Sequence, residues 1–114
     1  MAENRIPLCD LKDLPQRCSR GFSVKTCFGY EDIFVVHKQG RLFAYRNSCP
    51  HTGVPLEWVP DQFLDLDGSF IECATHGALF TIEEGKCVSG PCAGDSLQPV
   101  RLDVDDGVVY LLGE

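Results

Sequence analysis

Apolar residues occur along this chain in short runs that are separated by turn residues. Glycine turns at Gln39-Gly40 and at Asp105-Asp106-Gly107 join neighbouring runs, which is the pattern of a β-hairpin. One segment, Leu8–Leu14, has a weak helical pattern that ends at Pro15. The predicted strands are Phe22–Cys27, Asp32–His37, Arg41–Tyr45, Ser69–Cys73, Ala78–Ile82, Pro99–Val104 and Val108–Leu112. Many short strands with frequent turns predict an all-β fold, a small antiparallel sandwich or barrel.

The strand pattern is interrupted between Ser48 and Asp67, where three prolines fall in a loop-rich stretch. A long loop inside a small domain usually serves the function of the protein. Candidate functional residues are therefore expected in and around this segment.

Composition limits the classes of protein that the chain can represent. Its 114 residues fit one domain, residues 1–114, and 44% hydrophobic residues exclude low-complexity disorder. A net charge of -7 argues against nucleic-acid binding through bulk charge. The longest apolar runs, Ile33–Val36 and Val108–Leu112, are too short to span a membrane, and the first residues lack the apolar core of a secretory signal. We therefore expect a cytoplasmic protein with no membrane partner.

The cysteines add a further constraint. Seven is an odd number, so a complete set of disulfides within one chain is impossible. In a reducing compartment, clustered cysteines and histidines more often mark a metal site or a catalytic site.

Two short boxes carry such clusters, Cys49-Pro50-His51-Thr52-Gly53 and Cys73-Ala74-Thr75-His76-Gly77. Together they offer two thiolates and two imidazoles, which suffice for one tetrahedral zinc ion or for a two-iron cluster. Structural zinc usually takes ligands at wider spacings such as C-x2-4-C. The tight C-x-H pair favours two irons bridged by sulfide, because each box can then give one ligand to each iron.

These boxes resemble those of Rieske proteins, and the resemblance extends to Gly85, Gly90-Pro91 and the end of the chain from Leu97 to Tyr110. The resemblance implies a Rieske-like fold with a loop-rich cluster-binding subdomain at about 47–81 and a third cluster loop at about 87–92. It implies one [2Fe-2S] cluster. The implied ligands are Cys49 and Cys73 on one iron, and His51 and His76 on the other.

The chain departs from the high-potential members of that family at several positions. Those members have an additional disulfide where this chain has Val54 and Thr75, and hydroxyl donors to the sulfurs where it has Ala78 and Phe80. Fewer donors predict a reduction potential near the low end of the Rieske range of about -150 to +300 mV. The segment between the boxes, at Glu57–Asp67, is longer than is usual.

Charge is divided unevenly along the chain. Residues 1–46 hold 8 basic and 5 acidic side chains, a balance of +3, whereas residues 47–114 hold 2 basic and 12 acidic ones, a balance of -10. Acidic residues between the boxes are expected to steer docking to a basic patch on a redox partner. They are Glu57, Asp61, Asp65, Asp67 and Glu72.

The expected function is that of a Rieske-type ferredoxin, a one-electron carrier that is not itself an enzyme. Only His37 remains after the boxes, so the mononuclear iron site of an oxygenase, with two His and one carboxylate, cannot be built. The family suggests that electrons come from a flavin- and NAD(P)H-dependent reductase and pass to an oxygenase that docks near the His ligands.

Three alternatives stay open. They are a small Rieske subunit of a larger reductase such as nitrite reductase, a zinc-stabilised interaction module, and a redox sensor that uses the remaining cysteines. We interpret most of those cysteines as small hydrophobic side chains that are buried or half-buried. They are Cys9, Cys18, Cys27, Cys87 and Cys92.

Overall fold

The structure, a computed structural model, describes residues 5–14, 18–26, 29–48, 50, 56, 61–65, 68–74, 77–90 and 94–112. Strands account for most of this part of the chain, and its only helical element is a single 3-10 turn at Leu11–Asp13. The strands are β1 (Arg5–Asp10), β2 (Cys18–Thr26), β3 (Gly29–Lys38), β4 (Arg41–Arg46), β5 (Phe70–Glu72), β6 (Leu79–Thr81), β7 (Cys87–Ser89), β8 (Leu102–Asp105) and β9 (Val108–Leu112). The predicted all-β class is confirmed.

Within the described ranges the strands form three antiparallel sheets, with the orders β1-β9-β8, β2-β3-β4 and β5-β6-β7. The predicted hairpins are present, with Phe34 paired to Tyr45 in the one that turns at Gln39-Gly40 and Val104 paired to Val109 in the last. The turn at Asp106-Gly107 has positive φ at both residues, as a tight hairpin connection requires.

Strand β3 lies at the centre of the molecule because both of its faces are buried. Alternate residues of a strand point to opposite faces of the sheet. Ile33 and Val35 pack towards β9 and the residues around it, whereas Phe34 and Val36 pack against β5 and β6. This explains the unbroken apolar run in the sequence, since a strand buried on both faces does not alternate.

The prediction of a helical segment at Leu8–Leu14 was wrong for the first part of that segment. The segment predicted to be helical contributes to β1, which pairs antiparallel with β9, and only Leu11–Asp13 makes a helical turn. The reason is tertiary: Arg5 pairs with Leu112, so this strand is stabilised by a partner at the other end of the chain. A short pattern read locally cannot reveal such a partner.

The predicted strand Pro99–Val104 is divided between two sheets. Pro99 makes a bridge to Tyr45, and the Val100 N–H donates to the Ala44 carbonyl at 3.0 Å, so this part runs beside β4. From Leu102 the chain belongs to β8, beside β9. The crossing explains why one apolar run serves two sheets.

No helical element in the described residues is long and apolar enough to cross a membrane.

Candidate metal centre

The second box begins where β5 ends. Cys73 is fully buried, its N–H donates to the Ala78 carbonyl at 2.8 Å, and its carbonyl accepts the Gly77 N–H at 2.8 Å. Gly77 has φ +68, a left-handed conformation that glycine adopts without steric cost. These bonds hold Cys73 close to Gly77 and Ala78 and so fix the described backbone on both sides of the box. His76, the second predicted ligand of this box, lies outside the described residues.

Cys49 and His51 of the first box also lie outside the described residues, but the flanks of this box are described. The Asn47 Oδ1 accepts the Leu56 N–H at 2.8 Å, and this bond joins the two flanks of the first box. The Leu56 carbonyl in turn accepts the N–H of Ala74, next to Cys73, at 2.8 Å. The two boxes are thus joined through Leu56.

Sequence reasoning assigned no role to Asn47. The residue is held by its own N–H, which donates to the Asp32 carbonyl on β3 at 2.9 Å. Its side chain is short and polar, the type that satisfies a nearby backbone group in a loop. An Asn two residues before the first Cys was the signal available in the sequence.

The first residues of the predicted third loop, at about 87–92, form strand β7, and Gly90 follows directly against Ala78, the residue after the second box. Gly90 has φ +105, and a Cβ at this position would lie 2.8 Å from the Ala78 Cα. Only glycine allows two backbones to approach so closely. The rest of this predicted loop, Pro91 and Cys92, lies outside the described residues.

Apolar side chains surround the described part of the site. Cys73 belongs to a buried cluster that includes Leu56, Ala78 and Phe80, all without exposed surface. Neither Ala78 nor Phe80 has a hydroxyl group, so the two positions that donate in high-potential Rieske proteins cannot donate here. The described surroundings of Cys73 exclude water and supply few side-chain donors.

The turn between β6 and β7 attaches this region to the central sheet. The Tyr45 hydroxyl donates to the Ile82 carbonyl at 2.7 Å, and burial raises the pKa of Tyr45 to about 12. The Lys38 ammonium lies 2.9 Å from a Glu83 carboxylate oxygen and lowers the pKa of that carboxyl group. Both contacts hold the strand pair that follows the second box.

The donor set fits a Rieske [2Fe-2S] group as far as it is described. Cys73 is a buried thiol at a tight turn, and hydrogen bonds tie its loop to the flank of the first box. Among the described residues no three His, Cys, Asp or Glu side chains converge as a metal site, and three of the four predicted ligands fall outside that part.

Histidine and cysteine residues away from the boxes have other surroundings. His37, on β3, donates from Nδ1 to the Leu14 carbonyl and so joins β3 to the N-terminal segment. Cys9 is half-buried, and burial raises the pKa of its thiol, which disfavours the reactive thiolate that a redox sensor needs. Cys18 is half-buried, Cys87 is buried, and Cys27 and Cys92 lie outside the described residues.

Comparison with known proteins points to one family. A family model of the Rieske [2Fe-2S] domain matches residues 4–103 of the chain. The 3-phenylpropionate/cinnamic acid dioxygenase ferredoxin subunit of Photorhabdus laumondii is 28% identical over 108 residues, which cover 95% of this chain and 93% of that protein. The ferredoxin component of biphenyl 2,3-dioxygenase from Rhodococcus jostii is 31% identical over 86 residues, which cover 75% of this chain and 76% of that protein.

A solved structure agrees with these relatives. The chain is similar to a chain in the complex of reduced oxygenase and oxidized ferredoxin of carbazole 1,9a-dioxygenase, with a TM-score of 0.75 and 26% identity. The match covers 96% of this chain and 94% of the other. Likeness therefore extends over nearly the whole of both chains, in fold as in sequence.

Proposed function

The chain belongs to the Rieske [2Fe-2S] family, and we propose on that basis that it carries single electrons to a terminal oxygenase. One observation carries the proposal: the match to a dioxygenase ferredoxin subunit covers 95% of this chain and 93% of that relative. The relatives named above are ferredoxin components of oxygenase systems, and such components are electron carriers. By this proposal residues 1–114 act as a single Rieske domain, with the cluster-binding subdomain at about 47–81 and the third loop at about 87–92.

The proposed cluster ligands are Cys49 and Cys73 on one iron and His51 and His76 on the other. The hydrogen bond between Ala74 and Leu56 supports the assignment, because it links the loop of one pair to the flank of the other. When bound, the [2Fe-2S] cluster is the group that takes up and gives up one electron.

The protein's own residues have a positioning and shielding role in this proposal. Backbone hydrogen bonds to Gly77 and Ala78 fix Cys73, while Leu56 and Phe80 keep water from its buried side. Gly77 and Gly90 are both exposed at this end of the molecule, so the backbone around the second box lies at the surface. A redox partner would dock on that surface, near the His ligands.

We propose a flavin- and NAD(P)H-dependent reductase as the electron donor and an oxygenase as the acceptor. A cytoplasmic location is part of the proposal, since a reducing compartment suits a chain with seven cysteines. A small subunit of a larger reductase would differ from a free carrier by co-purifying with a large subunit.

Analysis of the purified protein tests the cluster and its ligands. We expect a brown protein with two irons and two labile sulfides per chain and a Rieske-type EPR signal after reduction. Cys73→Ser and His76→Ala should lose this signal. The matched controls Cys9→Ser and His37→Ala, which alter residues outside the boxes, should keep it. A colourless protein that contains zinc would refute the proposal.

The carrier role is tested by electron transfer. With NADH and a flavoprotein reductase of an aromatic-ring dioxygenase system, the protein should be reduced and should then be reoxidised by that system's oxygenase. Reduction without any reoxidation by an oxygenase, together with co-purification of a large subunit, would instead identify a subunit of another reductase.

A further inference from the structure

The long segment between the two boxes is attached to the edge of β2 through Ser19 and Asp61. The Ser19 hydroxyl donates to the Asp61 carbonyl at 2.7 Å and accepts the Phe63 N–H at 3.2 Å. The Asp61 Oδ1 accepts the Gly21 N–H at 2.8 Å. Ser19 is the one buried polar side chain among the described residues, and both hydrogen-bonding capacities of its hydroxyl are used.

Asp61 has a conformation that needs support. Its φ of +67 lies in the left-handed region, which is uncommon for residues with a Cβ although aspartate tolerates it better than most. The bonds to Ser19 and Gly21 supply that support. Its carboxylate is thus used within the fold, in addition to any part it has in the acidic surface between the boxes.

A short path leads from this attachment to Cys73. The Phe63 carbonyl accepts the Glu72 N–H at 2.8 Å, and Glu72 is the residue immediately before Cys73. The Phe63 ring is stacked on Phe34 of β3, with ring centroids 4.4 Å apart and planes at 6°. Two hydrogen bonds therefore connect the Ser19 hydroxyl to the backbone that carries Cys73.

We propose that Ser19 and Asp61 are positioning residues for Cys73: they clamp the inter-box segment to β2 so that Phe63 holds the backbone at Glu72. The inference rests on the proposed function insofar as Cys73 is a cluster ligand. It goes beyond that function because it assigns a role to the segment between the boxes and to an edge strand that carries no ligand.

Ser19→Ala, Ser19→Thr and Ser23→Ala test the clamp. Ser19→Ala removes the hydroxyl, whereas Ser19→Thr keeps it and should restore wild-type behaviour. Ser23→Ala is the matched control, because it removes the same hydroxyl group from an exposed serine on the same strand.

Hydrogen exchange reports on the clamp without requiring a bound cluster. In Ser19→Ala, exchange in the segment 70–74 should accelerate about fivefold or more, the factor expected when one hydrogen bond is lost from a local opening equilibrium. Ser19→Thr and Ser23→Ala should exchange at the wild-type rate. Equal rates in Ser19→Ala and Ser23→Ala would overturn the proposal.

Two cluster readouts separate positioning from general stability. At a temperature well below unfolding, Ser19→Ala should lose iron to a chelator about fivefold faster than Ser23→Ala and should give a broadened EPR signal after reduction. An unchanged signal and rate in Ser19→Ala would overturn the positioning role. Absence of any Rieske signal in the wild-type protein would contradict the proposed function instead, and the exchange experiment would still decide on the clamp.

If Ser19→Ala does not fold, two variants of Asp61 decide the question. Asp61→Gly accepts the positive φ but removes the side-chain acceptor for Gly21, whereas Asp61→Asn keeps an acceptor oxygen and tolerates the same backbone. Faster iron loss in Asp61→Gly than in Asp61→Asn supports the proposal, and equal rates overturn it.

Discussion

Replacing Gly90 by alanine should separate the third loop from the second box. Gly90 has φ +105, and a Cβ there would meet the Ala78 Cα at 2.8 Å and the Ala78 Cβ at 2.9 Å. Carbon atoms in contact prefer about 3.5–4.0 Å. One of the two backbones must therefore move by roughly 0.7 Å or more to accept the methyl group.

Two costs add in this variant. A non-glycine residue at such a φ costs on the order of 1–3 kcal/mol. Forcing an additional methyl group into a filled space costs about 1–3 kcal/mol more. We therefore expect a loss of about 2–6 kcal/mol in the free energy of unfolding.

Gly94→Ala is the matched control because Gly94 has nearly the same φ, +97, but a Cβ there would meet nothing within 4 Å. This variant should show the conformational cost alone. The difference between the two variants isolates the contact with Ala78, at about 1–3 kcal/mol. For a domain of this size that is a difference of roughly 4 °C or more in Tm.

Thermal unfolding of the cluster-loaded protein, followed by the bleaching of its visible absorption, measures both variants. The Gly90 variant should also lose its colour faster at a fixed temperature, because Ala78 closes the loop that contains Cys73. Equal melting temperatures for Gly90→Ala and Gly94→Ala would refute the close approach between the third loop and the second box.

Further predictions concern Tyr45, the reduction potential and the acidic residues between the boxes. Tyr45→Phe should cost about 1 kcal/mol by removing the bond to Ile82. Burial raises the pKa of Tyr45 from 10.0 to about 12, so the neutral side chain stabilises the fold below pH 10 and this contribution is lost towards pH 12. Denaturant titrations of the wild type should show a loss of about 3 kcal/mol in the free energy of unfolding over this range. The Tyr45→Phe variant should show no such loss. The wild-type potential should lie near the low end of about -150 to +300 mV, and Ala78→Ser should raise it, whereas a wild-type value above about +100 mV in a redox titration would contradict this account. Electron transfer to the partner should slow as salt is added, and a rate independent of salt would exclude acidic steering.

Features set by neighbouring residues were predictable from the sequence. The hairpin of β8 and β9 follows from two apolar runs around an Asp-Gly turn, and the structure pairs Asp105 with Val108 across it. The apolar run of β3 predicted a strand, although only the structure shows that Phe34 and Val35 serve opposite cores. The two boxes themselves carried the family resemblance, because their residue types and spacing are specific.

Features set by distant partners were not predictable. Strand β1 exists because it pairs with β9, and Cys87–Ser89 forms β7 because Phe80 and Leu79 lie opposite it. The bond from Asn47 to Leu56 and the attachment of Asp61 to Ser19 join residues that no sequence period connects. In each case a distant segment of the same chain supplies the hydrogen-bonding partner. The residue type alone therefore does not identify the contact.

The pairing of β1 with β9 has a consequence for the order in which the molecule is made. Arg5 can reach its partner Leu112 only after the residues between them have been synthesised. The meander of β2, β3 and β4 and the strands that flank the second box all lie between these partners, so they are synthesised before β9. During translation, therefore, the part of the nascent chain around the second box can fold first. Strand β1 can pair only later, when β9 emerges.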